Sequence, residues 1–250
     1  MRLLPHELRN QLRLYVRSRE LAFFTFLLPI VIFVLLGSVY GEDKIDGVDG
    51  SSYLLAGMLG YGVVATVFAG LSIVLVIRRE SGVLKRLRAT PLPAPTYIAA
   101  MLVTFLLAFG FEVICLILLA RALFDVPLPG RPVSLALVLL LGAAAFSALG
   151  IGLAGFVRSA EGSSAVVNAI YLPMAFLSGA FFSPHSFPDF LRAIADVLPL
   201  TYFIRLVRDV MLHGEQIWSE WESVAVVAAW GLVGLVAALR KFHWEPRETA

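Results

Sequence analysis

The side chains best suited to binding chemistry lie in a short basic segment, residues 80–96, between two long apolar stretches. Its cations and leucines recur at helical spacing, so that charges and apolar side chains occupy different faces of a short helix. Such a helix can dock in a groove of a partner protein, with leucines as anchors and ion pairs at the rim. A loop that only fixes membrane topology by its positive charge is the alternative. The residues of this helix expected to make the docking contact are Leu84, Lys85, Arg86, Leu87 and Arg88.

Two further polar residues, Glu112 and Asn168, fall inside apolar stretches. A charged group at mid-membrane costs at least ~2.5–3 kcal/mol, so Glu112 must be neutral, paired or facing water. No Lys or Arg lies at a matching depth, which favours a protonated hydrogen bond between helices; recognition of a cation in a transport path is the alternative. Asn168 also needs a partner, because an unpaired amide is costly in hydrocarbon. Both residues are candidates for a transport path.

Motifs for enzymatic chemistry are missing from the sequence. None of the three lysines follows a glycine, so the G-x-x-x-x-G-K-[ST] phosphate loop cannot be formed. His6-Glu7 begins like the zinc-protease motif H-E-x-x-H, but the fifth position is Asn10. The four histidines lie outside the predicted spans. We therefore predict no catalytic residue, no metal site and no directly bound cofactor.

The composition requires a membrane environment. Hydrophobic residues make up 59% and charged residues 15% of the 250 residues, whereas soluble domains carry about 25% charged residues. Six segments reach the roughly 20 apolar residues that a spanning helix needs. We expect an all-α polytopic protein whose single transmembrane domain covers residues 1–250. The predicted spans are residues 21–40, 52–77, 97–120, 133–157, 163–182 and 222–239.

The distribution of charge predicts the orientation. Most Lys and Arg residues fall in the segments that are cytosolic if the N-terminus is cytosolic. The first outer loop instead carries four carboxylates, at Glu42, Asp43, Asp46 and Asp49, against the single cation of Lys44. Both termini are therefore expected in the cytoplasm, on the inner side of a plasma (bacterial inner) membrane.

Two segments are helical without being spans. Residues 1–20 combine an apolar stripe with a stripe of arginines, which is typical of a helix in the inner headgroup layer; a charged leader that only sets topology is the alternative. Residues 183–221 are too long for a turn and too apolar for a solvated loop, with Pro188 and Pro199 bounding a short amphipathic helix. We expect a re-entrant helical hairpin in the outer leaflet, or else two helices lying flat on the outer surface.

Small residues at fourfold spacing predict close helix contacts inside the membrane. Gly62, Thr66 and Gly70 form one such stripe, and Ala144, Ala148 and Gly152 form another. Ordinary packing within the chain is the favoured interpretation, with a dimer interface as the alternative.

Three sequence motifs resemble those of one family, the membrane subunits of type-2 ATP-binding-cassette exporters. ESGVLKRLRATPL at 80–92 resembles that family's E-x-G-T-L-x-x-L-x-x-[ST]-P coupling segment, with Val83 in place of the common Thr. FLSGAFFSP at 176–184 resembles its F-L-S-G-x-F-x-P stretch, and LPLTY at 198–202 resembles its P-L-T-Y turn. The resemblance covers essentially the whole chain.

The resemblance implies a permease subunit without its own ATPase. In that family two membrane subunits, identical or different, work with two separate ATP-binding subunits, which hold ATP and Mg²⁺. The interfacial and coupling helices would dock on those subunits, and the outer hairpin would form the outer gate. In the coupling segment the resemblance implies bonds to the partner from Glu80, Lys85, Arg86 and Arg88, with Leu84 and Leu87 in its groove. The gate residues would be Phe181, Phe182, Pro184, Pro199 and Tyr202.

The expected function is ATP-driven export of a hydrophobic or amphipathic compound, such as a drug, antibiotic or lipid-like molecule, across the plasma membrane. The partners are then an ATP-binding subunit, a second permease subunit and the lipid bilayer, but no nucleic acid. A stand-alone channel or ion-coupled carrier is the alternative. It predicts more paired charges inside the membrane than Glu112 alone.

Overall fold

The computed structural model describes residues 3–18 and 23–245, without the side chains of Leu3, Phe24, Thr25 and Arg88. These ranges are almost entirely helical, apart from an antiparallel hairpin that pairs Lys44–Ile45 (β1) with Val48–Asp49 (β2). The fold therefore agrees with the predicted all-α membrane protein. The helices are α1 (Leu3–Arg17), α2 (Leu28–Tyr40), α3 (Gly50–Glu80), α4 (Val83–Arg88), α5 (Ala94–Phe124), α6 (Pro132–Ala154), α7 (Ala160–Leu177), α8 (Asp189–Ala195), α9 (Pro199–Leu212) and α10 (Trp221–Lys241).

Four of the described helices, α3, α5, α6 and α10, are long and apolar enough to cross a membrane. Helix α2 is apolar but shorter, although the π-helical stretch Phe23–Leu27 precedes it directly. Helix α7 has 18 residues and begins with a polar turn around Glu161. The chain is thus a multi-pass membrane protein, while crossings by α2 and α7, and with them the count of six spans, stay predictions. Residues 21 and 22, at the start of the first predicted span, lie outside the described ranges.

Helix α3 lies at the centre of the fold and α10 at its edge. In their most apolar stretches, 78% of α3 is buried but only 17% of α10. Glycines let α10 approach α6, since a Cβ on Gly234 would lie 2.7 Å from the Ala148 carbonyl carbon, and one on Gly152 would lie 2.9 Å from the Gly234 oxygen. Part of the predicted stripe in α6 therefore packs within the chain, and the face of α10 turned away from α6 is exposed.

A π-helical stretch, Val63–Gly70, interrupts α3 near its middle. A π turn holds one residue more than an α turn, and such turns are frequent at functional sites. Ala65, Thr66 and Ala69 all lie within it. Because of the extra residue, the helical segments before and after this stretch turn different faces toward their neighbours.

Within residues 183–221 the chain forms two short helices, as its prolines predict. Helix α8 ends at Ala195, and Pro199 occupies the first turn of α9, where its missing N–H costs nothing. Helix α9 inserts Phe203 against Gly142 and Ile204 against Gly60, each about 10 residues, or ~15 Å, from the start of its helix. Helix α9 thus packs among α3 and α6, while the choice between a re-entrant arrangement and two helices lying flat stays a prediction.

Helix α1 packs against α5 through one face. Tyr15 is buried and makes an edge-to-face contact with Phe105, with ring centroids 5.4 Å apart. Leu14 and Val16 on the other faces are exposed by 55% and 74%. An amphipathic helix with exposed apolar side chains is consistent with the predicted interfacial position.

Candidate functional site

The basic segment begins with a sharp turn after α3. Gly82 adopts φ of +70°, a left-handed conformation that costs glycine little, and this turn starts α4. Helix α4 ends at Arg88, just ahead of Pro91 and Pro93, as the prolines predict. The segment is therefore a single short helix held close to the end of α3.

The leucine that was expected to enter a partner's groove is instead part of this chain's own core. Leu84 is fully buried in a cluster with Leu75, Val76 and Val157, and Leu87 packs against that cluster. The prediction that Leu84 anchors a partner is thus wrong in this structure, because burial leaves no surface to present. Leu84 anchors α4 to the membrane helices.

The cations of α4 remain available. Lys85 and Arg86 are exposed, and Arg86 Nη2 makes one long contact of 3.4 Å with the Ser81 carbonyl oxygen. Glu80 is mostly buried and accepts from Arg79, with Nε to Oε1 at 2.7 Å. The side chain of Arg88 lies outside the described part of the structure. Lys85 and Arg86 are therefore the residues of the predicted set that can meet a partner.

Arg79, which sequence reasoning treated only as a topological charge, is completely buried. Its Nη1 donates to the Ala154 carbonyl at 2.8 Å and its Nη2 to the Val157 carbonyl at 2.5 Å. Ala154 is the last residue of α6, and carbonyls at a helix end have no partner within the helix. Arg79 therefore fastens the end of α3, and with it α4, to the end of α6; we call this the Arg79 clamp.

Glu112 belongs to α5 and faces α3, where it is sealed from solvent. Its Oε2 accepts a hydrogen bond from Thr66 Oγ1 at 2.8 Å. Gly62 gives the carboxyl its room, since a Cβ there would lie 2.7 Å from Oε1. Among the described residues no cation pairs with Glu112. This geometry fits the predicted hydrogen bond between helices better than a role in recognising a cation.

A cavity of about 540 Å³ opens between α1, α3, α5 and α7. Asn168 lines it, whereas Glu112 does not, and a transport role for either residue stays a prediction. Its walls are mostly apolar, with neutral polar side chains at Gln11, Ser164 and Thr104. The cavity is large enough for a drug-sized ligand.

Arg78 is the charged group in the described lining of this cavity. Its Nη1 donates to Gln11 Oε1 at 2.5 Å and to Tyr97 Oη at 2.7 Å. Gln11 is itself held by Glu7, with Nε2 to Oε1 at 2.6 Å. Arg78 thus links α1, α3 and α5 at the cavity. In the sequence it stands out only as one of two adjacent arginines.

The predicted gate residues differ in exposure and in contacts. Phe181 is buried against Tyr61 and Phe176, with ring centroids 5.5 and 4.9 Å away, but Phe182 is 46% exposed. Tyr202 donates from its hydroxyl to the Asp196 carbonyl at 2.8 Å, which ties α9 to the end of α8. Pro184 and Pro199 begin helical turns. Phe181 contacts α3 through Tyr61, and the gate role of these residues stays a prediction.

Other contacts join the β-hairpin, the turn after α7 and α9. Ser183 Oγ donates to Asp46 Oδ2 at 2.7 Å, which joins the β-hairpin to the turn after α7. The Arg208 guanidinium lies 3.6 Å from the centre of the Tyr53 ring and donates to the Gly179 carbonyl at 2.5 Å. Sequence reasoning missed these residues, because nothing in their local spacing marks contacts between distant segments.

Comparison with known proteins agrees with this architecture. Residues 6–212 match the family model described as ABC-2 type transporter. The chain is 23% identical to the transport permease YvfS of Bacillus subtilis (strain 168) over 220 residues, which are 88% of this chain and 89% of that protein. It is 26% identical to the transport permease ycf38 of Porphyra purpurea, with coverage of 83% and 72%. It is 24% identical to the inner membrane transport permease YhhJ of Escherichia coli (strain K12), with coverage of 68% and 46%.

The family model covers well over half of the chain, and it includes the basic segment, α8 and α9, and the helices that line the cavity. The resemblance carried by the three sequence motifs is thereby confirmed. This chain belongs to the ABC-2 type transporter family.

Proposed function

We propose that this chain is the membrane subunit of an ATP-driven exporter in the plasma (bacterial inner) membrane. Membership of the family implies an ATP-binding partner subunit, and a second permease subunit, identical or different, completes the transporter. ATP and Mg²⁺ belong to the partner in this proposal, and this chain has no catalytic role, metal or cofactor of its own.

The observation that carries the proposal is the attachment of α4. Lys85 and Arg86 face outward on a helix whose Leu84 is fixed in the core. The Arg79 clamp joins the same corner to the end of α6. A partner that moves α4 would therefore move α3 and α6 as well, which is what transmission of a nucleotide-driven motion requires.

The membrane placement follows the charge pattern. The proposal puts α4 and both termini in the cytoplasm, α1 in the inner headgroup layer, and the β-hairpin with α8 and α9 on the outer side. Six helices then cross the bilayer, including α2 and α7. The exposed charges of α4 and the carboxylates near β1 support this orientation.

The proposed substrate is a hydrophobic or amphipathic compound, such as a drug, antibiotic or lipid-like molecule. The cavity with Asn168 in its wall would receive it, and the outer gate at Phe181 would release it. A stand-alone channel or ion-coupled carrier is the second candidate, and it would work without ATP. The carrier predicts more paired charges inside the membrane than Glu112 alone. Among the described contacts, Glu112 has no charged partner, which favours the exporter.

Copurification tests this function. The chain, extracted gently from its native membrane, should carry a soluble P-loop protein at near one-to-one ratio. Replacing Lys85 and Arg86 together by Glu should release that protein, because the exposed cations would be reversed. The matched control reverses Arg240 and Lys241, two exposed cations at the end of α10, and should keep the partner. A lone chain that moves solute in ATP-free liposomes would support the carrier instead.

A further inference from the structure

The cavity between α1, α3, α5 and α7 has an uneven distribution of charge. Arg78 carries a full positive charge, and within the described lining there is no carboxylate to balance it. The other polar side chains of the wall are amides and hydroxyls, which accept or donate without charge. The cavity therefore presents a net positive group to any occupant.

The guanidinium of Arg78 is only partly used by the protein. Both of its oxygen acceptors, Gln11 and Tyr97, are neutral and both bind the same nitrogen, Nη1. Within the described residues, Nε and Nη2 have no hydrogen-bond acceptor, and no carboxylate lies within 4.0 Å of the side chain. A guanidinium held in place with free donors suits bidentate binding of a phosphate or carboxylate.

The rest of the wall suits hydrocarbon. Leu14, Ile73, Val74, Met101 and Phe105 line the cavity together with small alanines of the π-helical stretch. Helix α1 forms one side and has exposed apolar residues beyond the cavity, as expected of a helix in a membrane interface. An occupant with a long apolar part could therefore enter from the membrane rather than from water.

We propose that this cavity binds amphiphiles with one anionic headgroup, a phosphate or carboxylate on an apolar chain, and that Arg78 selects the headgroup. The role of such a compound as transported substrate rests on the proposed function, whereas its binding does not. The proposal replaces recognition of cations at Glu112, which lies outside the cavity.

A displacement assay tests the proposal directly. The full chain in phosphatidylcholine nanodiscs is loaded with a fluorescent alkyl phosphate, and empty nanodiscs give the background from partition into lipid. Dodecyl phosphate should displace the probe at a concentration at least about tenfold below that of dodecyltrimethylammonium, given the strength of a charged hydrogen-bond pair. Equal displacement by the two compounds would overturn the proposal. Inorganic phosphate that displaces as well as dodecyl phosphate would show a simple anion site and would also overturn it.

Variants identify the residue responsible. Arg78→Gln should remove the preference for the phosphate, and Arg78→Lys should keep part of it because the charge remains. Lys241→Gln removes an exposed cation at the end of α10, outside the cavity, and should leave the preference unchanged. A preference that survives Arg78→Gln contradicts the assignment.

A second variant serves if Arg78→Gln does not fold. Ala65 lines the cavity, and Ala65→Leu should weaken displacement by dodecyl phosphate more than by hexyl phosphate, because it shortens the apolar space. Equal effects on the two chain lengths would exclude the hydrocarbon site.

The two proposals fail separately. If the chain copurifies with a P-loop protein but shows no preference for dodecyl phosphate, the anionic site is wrong and the exporter stands. If dodecyl phosphate binds through Arg78 but no ATP-binding subunit is found, the site stands and the exporter is wrong.

Discussion

Replacing Arg79 by methionine should destabilise the protein without disturbing its surface. The substitution removes the donors to the Ala154 and Val157 carbonyls and leaves Glu80 without its partner. A hydrogen bond to a charged group contributes about 1.5–3 kcal/mol, so two bonds sum to roughly 3–6 kcal/mol. Losing a buried charge also removes its desolvation cost, which offsets part of that sum. We expect the free energy of unfolding to fall by about 2–4 kcal/mol.

The measurement is reversible denaturant unfolding of the purified chain in mixed micelles. Arg79→Lys should give an intermediate loss, because a single ammonium group cannot match the fork of a guanidinium. Arg86→Met is the matched control; Arg86 is exposed, so the change should stay within about 0.5 kcal/mol. If Arg79→Met is no more destabilising than Arg86→Met, the clamp does not hold α3 to α6.

Two further substitutions test the packing of α3. Glu112→Gln keeps an oxygen to accept the hydrogen bond from Thr66, so the free energy of unfolding should change by less than about 1 kcal/mol. Export of cationic and of neutral compounds should change equally. A loss confined to cationic compounds would restore the charge-recognition role. Gly57→Ala places a Cβ 2.8 Å from the Ala180 carbonyl carbon and should cost about 1–3 kcal/mol in unfolding experiments, whereas Gly110→Ala, with no atom within 4 Å of the new Cβ, should be neutral or stabilising; equal behaviour of the two variants would contradict the close approach.

Local patterns were sufficient to predict seven of the helices, although not the β-hairpin or the π-helical stretches. Apolar stretches of span length led to α3, α5, α6 and α10. The prolines Pro188 and Pro199 led to α8 and α9, and the basic composition of residues 80–96 led to α4. These features act over a few residues, through hydropathy, helix termination and amphipathic spacing. The same reasoning identified Glu112 and Asn168 as unusual, because polar groups stand out within an apolar run.

Contacts between distant segments were not predictable in the same way. Leu84 and Leu87 have the spacing of an exposed docking face, but the neighbouring ends of α3 and α6 cover Leu84. Arg78 and Arg79 are adjacent and identical in type, yet one lines a cavity and the other is sealed against two carbonyls. Helix geometry places consecutive side chains about 100° apart, so their surroundings depend on which helices lie on each side.

The π-helical stretch Val63–Gly70 has a consequence for the tolerated length of this chain. Because a π turn contains one residue more than an α turn, losing one residue there would convert it to ordinary helix and leave the faces on either side aligned. A one-residue deletion elsewhere in α3 would rotate one half of the helix relative to the other by about 100°. It would break either the contact of Tyr53 with Arg208 or the hydrogen bond of Arg79 to Ala154. Relatives whose counterpart of α3 is one residue shorter should therefore carry their gap within these eight residues.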